Sequence, residues 1–204
     1  MNPPSPKASA WQAPPPSSPA THGQKLTYDD FLLFPDDGMR HELIDGEHYV
    51  TPSPILRHQA ISGRLHLAIG GWLRDHPSGQ IFYAPLDVIL SRFDVVEPDL
   101  LYVSNERATD LLSGNWVTGA PDLVVEIGSP GTRRRDETIK RRLYEGSNVV
   151  EYWVVDPEVD GIRVYRRSGD RFGRVVELSA HAGDVLTTPL LPGLEIPLAD
   201  VFAA

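Results

Sequence analysis

Along residues 121–157, PDLVVEIGSPGTRRRDETIKRRLYEGSNVVEYWVVDP, the spacing of apolar positions changes from that of a strand to that of a helix and back. In the first part, Leu123, Val125 and Ile127 fall on one face of a strand, and Asp122, Val124, Glu126 and Gly128 on the other. Ser129-Pro130-Gly131 breaks it. Thr132 is placed to cap a helix carrying Ile139 and Leu143 as an i, i+4 apolar pair, and Gly146 is placed to end that helix. The run VVEYWVV is apolar enough to predict a strand buried on both faces. Strand, crossover helix and strand predict a right-handed parallel unit. Glu126 is the anomaly. A carboxylate in such a strand is costly to bury alone, so it needs a partner or a function.

The flanking patterns build outward from that unit. Thr27-Tyr28-Asp29-Asp30 reads as a capping box opening a short helix through Phe34. Residues 40–50 predict a hairpin, HELI and EHYV turning at Asp45-Gly46. Ser53-Pro54 reads as the N-cap and first position of a helix to about Asp75. Its buried stripe is Ile61, Leu65, Ile69 and Trp72, with His58 on the same stripe one turn earlier. Residues 80–104 predict strands, IFYAPLDVIL and PDLLYVS, around a turn at residues 91–94. Residues 105–120 predict a loop or short helix. Beyond Pro157, IRVYRR and RVVEL predict another hairpin, and the proline-bearing TTPLLPGLEIPLADVF predicts an edge strand. The order predicts an α/β fold, a mixed sheet flanked by helices with additional hairpins.

Composition sharpens this picture. The chain of 204 residues has room for one core and a tail. Residues 1–24 are rich in Pro, Ser and Ala, hold no acidic residue and predict a disordered tail, a tether or a segment without structural role. Residues 25–204 are then the folded domain. The absence of cysteine excludes disulfides, zinc–thiolate sites and cysteine nucleophiles. No apolar run reaches membrane-spanning length and no signal-peptide pattern opens the chain, so the expectation is a soluble cytoplasmic protein without a membrane partner. A net charge of −9 counts against generic nucleic-acid binding, which leaves a basic footprint. The charge is uneven, however. Arg133, Arg134, Arg135, Lys140, Arg141 and Arg142 face only Asp136 and Glu137 within one short stretch.

Two Pro-Asp pairs, Pro98-Asp99 and Pro121-Asp122, each open a strand; Glu126 stands inside the second, and Lys140 falls two turns into the next helix. Carboxylates on neighbouring strands can converge on a hard cation such as Mg²⁺, which takes one or two carboxylates plus water and phosphate oxygens. Such a metal lowers the pKa of bound water and shields a phosphate under attack. A nearby lysine stabilises the negative charge that develops. Arg133, Arg134 and Arg135 at a helix start also suit a phosphate. Together these residues make a coherent set for phosphodiester cleavage. Each piece also has a plainer reading. Asp99 and Asp122 can be turn residues, Asp136 and Lys140 a surface i, i+4 pair, the arginines a solvated helix start, and His58 a core histidine. Glu126 is the hardest to read that way. From the residues alone, both readings stay open.

The stretches LTYDDFLLFP, HELIDGEHYV, the His58 helix, EPDLLYVS, residues 121–157 and the closing LLPGLEIPLADVF resemble the Uma-type (Uma-two) family. These are bacterial proteins described as restriction endonucleases, within the wider PD-(D/E)xK nuclease fold. The resemblance covers residues 25–202 and is most specific over residues 126–156. It implies a restriction-endonuclease-like core and a nuclease dependent on Mg²⁺ or Mn²⁺. It implies that Asp99 is the acidic residue of the PD motif, that Glu126 is the second metal ligand, and that Lys140 is the lysine, relocated to the helix. Glu42 and His58 match recurrent positions of the family, and Asp136 lies one helical turn before Lys140 as a further accessory candidate.

The parent superfamily carries its lysine two residues after the acid, on the same strand face; Gly128 stands there in this chain. Glycine donates no charge but leaves space that a side chain from the helix can enter. Lys140 is one source, and Arg134 or Arg135 another. Two functional readings follow. The first is a metal-dependent endonuclease acting on DNA, a homodimer if both strands are cut. The second is a non-catalytic nucleic-acid-binding or protein-interaction module that keeps the nuclease fold.

Overall fold

In the computed structural model, which describes residues 25–35, 37–51, 53–129 and 136–203, the run around Glu126 forms β9, Leu123–Ile127, and every residue of it is buried. It pairs in parallel with β10, Glu151–Asp156, with Leu123 beside Glu151 and Ile127 beside Val155. On its other side it pairs antiparallel with β6, Leu100–Ser104, with Leu100 opposite Val125. Antiparallel strands extend the sheet outward: β11 (Gly161–Ser168), β12 (Arg171–Phe172) and β13 (Val176–Ser179) beyond β10, and β3 (Gly79–Tyr83) beyond β6. The result is a mixed sheet of order β12-β11-β10-β9-β6-β3, with β13 also on β11.

Alternation sorts the side chains of this sheet into two cores. Leu123, Val125 and Ile127 join Leu100, Tyr102, Trp153 and Val155 on one face. Val124 joins Leu101, Val103, Tyr152 and Val154 on the other. Both faces are covered, which is why the strand runs are apolar almost throughout. The first face lies under α2, Leu56–Asp75, which buries His58, Ile61, Leu65, Ile69 and Leu73 at helical spacing. Two details differ from the sequence expectation. The helix begins after an N-cap at Ile55 that makes no side-chain cap bond, and the stripe ends on Leu73. Trp72 is only partly buried and stacks on His76 instead.

The second face is covered by another sheet. Its hairpin, β1 (Arg40–Ile44) and β2 (Glu47–Thr51), turns on Asp45 and Gly46 with φ of 53° and 74°, the left-handed pair of a tight hairpin turn. It continues through β5 (Asp94–Val96), β4 (Val88–Ser91), β8 (Trp116–Thr118) and β7 (Leu112–Ser113). Ile44, Val88, Val96 and Val117 pack toward Val124 and its neighbours. The single strand expected across residues 81–90 is therefore two strands in different sheets; Pro85 between them has no N–H for a ladder. A short helix, α1 (Tyr28–Phe31), precedes the hairpin, and its Thr27–Asp30 capping box is reciprocal as expected. Another, α3 (Asn105–Leu111), links the two sheets.

Between β9 and β10 the described chain resumes as a π-helical turn, Asp136–Lys140, running into α4, Arg141–Gly146. Its inward face lies one residue beyond the expected one. Lys140 and Tyr144 are 2% and 0% exposed, whereas Ile139 is 38% exposed. A π turn carries an extra residue, and one residue rotates a helix face by about 100°. Thr132, the expected cap, lies outside the described residues. The C-terminal segment also differs from the edge strand expected. β14 (Val185–Leu186) pairs with β15 (Ile196–Pro197), and α5 (Leu198–Val201) follows. Leu191, Leu194, Ile196, Leu198 and Phe202 fill the α2 side of the core.

Candidate active site

The strand register brings Asp99 and Glu126 together. Leu100 is opposite Val125, so Asp99, one residue before β6, comes level with Glu126 near the end of β9. Asp99 is 3% exposed and both of its oxygens are engaged. Arg40 Nη1 donates to Oδ1 at 2.9 Å. His58 Nε2, at 3.1 Å, and the Ile127 N–H, at 2.7 Å, donate to Oδ2. Burial alone would raise the Asp99 pKa; the His58 hydrogen bond, the charges of His58 and Arg40 and the Ile127 N–H outweigh it and hold the carboxyl below its ordinary value. Arg40 arrives from the first residue of β1, and His58 from the first turn of α2. Three elements distant in sequence thus fix one carboxylate.

Glu126 is 3% exposed and is likewise engaged. Lys140 Nζ donates to Glu126 Oε1 at 2.9 Å and to Glu42 Oε1 at 2.7 Å. The Tyr144 hydroxyl donates to the same Glu126 oxygen at 2.7 Å. Lys140 and Tyr144 are one turn apart on the inward face of the crossover helix. Glu42 comes from β1 of the covering sheet, two residues from Arg40 and so on the same strand face. Its Oε1 also accepts the Glu97 N–H at 3.1 Å. Burial, helped by the Glu126 charge, pushes the Tyr144 hydroxyl well above its ordinary pKa, so it remains a donor.

A continuous polar seam therefore lies between the two sheets, from His58 and Asp99 through Arg40, Glu97 and Glu42 to Lys140, Glu126 and Tyr144. Arg40 Nε approaches Glu97 Oε2 at a looser 4.0 Å. Among the described residues this seam brings together four carboxylates, Glu42, Glu97, Asp99 and Glu126, with Arg40, His58 and Lys140 among their partners. Burial, with Asp87 nearby, pushes the Glu97 pKa up to about 7. Among the described residues, no three carboxylate or imidazole side chains are gathered as a ready-made metal cage.

Of the residues singled out in the sequence, Asp99, Glu126, Lys140, Glu42 and His58 meet in this seam. Arg133, Arg134 and Arg135 and the side chain of Asp136 lie outside the described residues. Asp122 is elsewhere: it accepts from the Ser104 N–H at 2.8 Å and from Arg107 Nη1 at 2.9 Å, tying the start of β9 to α3. Three members of the seam were not singled out: Arg40, Glu97 and Tyr144. Each had a faint signal. Arg40 alternates with Glu42 on one strand face, Glu97 precedes the Pro98-Asp99 pair, and Tyr144 is one turn beyond Lys140. Beside Asp99 a pocket of about 210 Å³ opens between α2 and the end of β3, with Arg40, His58 and Asp99 on its wall.

Comparison with known proteins bears on this arrangement. Residues 28–199 match the model of the Uma2 family, described as "Putative restriction endonuclease". No curated protein matches the chain. Among solved structures, a "putative nuclease belonging to DUF820" from Anabaena variabilis ATCC 29413 superposes with a TM-score of 0.75 at 20% sequence identity, over 87% of this chain and 98% of that one. At that identity the likeness establishes a shared fold. No helix among the described residues is long and apolar enough to cross a membrane.

Proposed function

Because the chain belongs to the Uma2 family, whose description and fold neighbour are those of nucleases, we propose that it hydrolyses phosphodiester bonds in DNA with a divalent cation, Mg²⁺ or Mn²⁺, held at Asp99 and Glu126. The observation that carries this reading is the buried ammonium of Lys140, 2.7 and 2.9 Å from two carboxylates and beside the Asp99–Glu126 pair. Buried charge on this scale is retained at a cost and points to chemistry.

The donor set fits a hard divalent ion. Asp99 and Glu126 offer carboxylate oxygens, the kind of atom a hard divalent ion takes. Two carboxylates with water and phosphate oxygens suffice for Mg²⁺, so a complete protein cage is not required. When bound, the ion supplies a water of lowered pKa and a counter-charge for the phosphate. The chain's own residues do the remaining work. Asp99 is oriented by His58, Arg40 and the Ile127 N–H, so its geometry is set in advance. Lys140 carries the charge that the superfamily places two residues after the acid; here Gly128 occupies that place, and its N–H is committed to the Val155 carbonyl at 2.8 Å. Glu42 is a positioning residue that holds Lys140 over Glu126. Tyr144 fixes the Glu126 carboxylate by donating to it. Lys140 at the reacting phosphate stabilises the negative charge of the transition state.

The test is incubation with supercoiled plasmid and with single-stranded DNA, in Mg²⁺, in Mn²⁺ and in EDTA. Cleavage in the metals and none in EDTA is expected. Binding without cleavage in any metal would instead favour a module that keeps the fold and uses it to hold nucleic acid.

A further inference from the structure

We infer that the pocket of about 210 Å³ beside Asp99 is a subsite for one unpaired nucleotide flanking the bond that is cut. The inference rests on the nuclease reading for the identity of its ligand; the pocket's own construction supplies the rest.

One long side of the pocket is a polar stripe of α2, including His58, Ser62, Gly63 and His66, next to the apolar stripe that faces the core. Gly63 is on this side, and a Cβ added there would meet nothing within 4 Å. Glycine inside a helix lowers its stability relative to alanine, and here it returns no packing contact. What it leaves is room. The end of β3 also lines the pocket, where Tyr83 is 63% exposed and makes a T-shaped contact with His66, with ring centroids 5.0 Å apart and planes at 82°. An exposed aromatic ring braced by a neighbouring ring is a platform on which a base could stack.

The polar groups match the other half of a nucleotide. Arg40 brings a permanent cation to the wall, and the Asp99 charge there is already answered by Arg40, His58 and the Ile127 N–H. The phosphate would meet Arg40 on this wall. His58, 7% exposed, and His66 each carry a buried Nδ1 with no hydrogen-bond partner among the described residues. A pocket of about 210 Å³ is on the scale of one base with its sugar rather than of a base pair. The ligand class is thus single-stranded or frayed nucleic acid, not intact duplex.

The test uses the full chain in EDTA, so that binding is read without cleavage, with fluorescein-labelled oligo(dT) and a blunt duplex of equal length as probes in fluorescence anisotropy. The expected result is tighter binding of the single strand, weakened tenfold or more both by Gly63→Leu, which fills the pocket, and by Tyr83→Ala, which removes the platform. Melting temperature and circular dichroism verify that each variant is folded; Tyr83→Ala, at an exposed position, carries the test if Gly63→Leu does not fold. If both variants keep the parent's affinity, or duplex binds as well as single strand, the subsite is overturned. Cleavage by the parent in Mg²⁺ would in that case leave the nuclease reading standing. Loss of binding in the variants together with no cleavage by the parent in any metal would keep the pocket and remove the nuclease.

Discussion

Replacing Lys140 by methionine keeps the four-carbon stem close to its volume and removes the charge. At an effective dielectric of about 20, an ammonium at the 2.7 and 2.9 Å separations seen here gains roughly 6 kcal/mol from each carboxylate before desolvation is counted. Desolvation takes back much of that, because Lys140, Glu42 and Glu126 are 2%, 0% and 3% exposed. The pair as a whole is therefore worth little more than an apolar replacement. Removing only the cation is different, since Glu126 and Glu42 lose the ammonium that donates to both while they stay buried. Breaking a buried pair in this way costs about 3–5 kcal/mol, a third or more of the stability of an ordinary domain.

The measurement is urea unfolding in EDTA near pH 7.5, followed by tryptophan fluorescence, for which the buried Trp153 is a suitable reporter. With a slope of about 2–3 kcal/mol per molar urea, the midpoint should fall by roughly 1–2 M. The variant should recover at lower pH, where the buried carboxylates take up a proton, and on addition of Glu42→Gln, which removes one of the two buried charges. A loss below about 1 kcal/mol, with no recovery from Glu42→Gln, would refute the argument that the ammonium compensates both acids. Because this stability loss is expected, cleavage by Lys140 variants has to be compared at a temperature where each is folded. A fall of ~10²-fold or more is then the expected catalytic part.

Three further outcomes follow from the same seam. Asp99→Asn and Glu126→Gln should each lower metal-dependent plasmid cleavage by ~10²-fold or more; Glu126→Gln should stay nearly as stable as the parent because Lys140 keeps Glu42, whereas Asp99→Asn, which disturbs three donors, should lose about 1–3 kcal/mol in urea titration. The Glu97 pKa, raised from 4.5 to about 7, contributes stability that is complete below pH 4.5 and lost as pH rises through 7; in EDTA the parent should therefore melt higher at pH 5 than at pH 8, and Glu97→Gln should flatten that difference. Combining Lys140→Ala with Gly128→Lys returns the lysine to the strand, and partial recovery of cleavage over Lys140→Ala alone is expected if the charge was relocated; no recovery would turn attention to Arg134 and Arg135.

How far the sequence carried this reading depends on the range of the contacts concerned. The hairpin at Asp45-Gly46, the Thr27 capping box and the parallel pairing of β9 with β10 rest on local turn chemistry or on unbroken apolar runs, and these were legible. The division of residues 81–90 between two sheets was not, because a strand that ends at Pro85 and one that resumes at Val88 read as one run. The inward face of the crossover helix was not legible for a different reason. Apolar periodicity selects Ile139 and Leu143, and nothing in periodicity signals that a lysine is the residue to be buried.

The physical origin of the site lies in long-range contacts. Lys140 is held inside by Glu126, 14 positions before it, and by Glu42, 98 positions before it on a different sheet. Glu42 in turn is held by the Glu97 N–H, and Arg40 on the same strand reaches Asp99, 59 positions away. No window of sequence contains these partners, so each residue, read alone, has an ordinary explanation: a strand-edge arginine, a hairpin glutamate, a helix-surface lysine. Replacing a buried ionic seam by apolar residues is often neutral or stabilising, so stability alone does not explain why this one is kept. Burial lifts Glu97 toward neutral pH, and the Lys140 ammonium lies at hydrogen-bond distance from two acids. A buried ammonium beside paired carboxylates, near a pocket with a guanidinium on its wall, suits the cation-assisted reaction on a phosphate proposed above, and the Lys140 and Asp99 variants are its test.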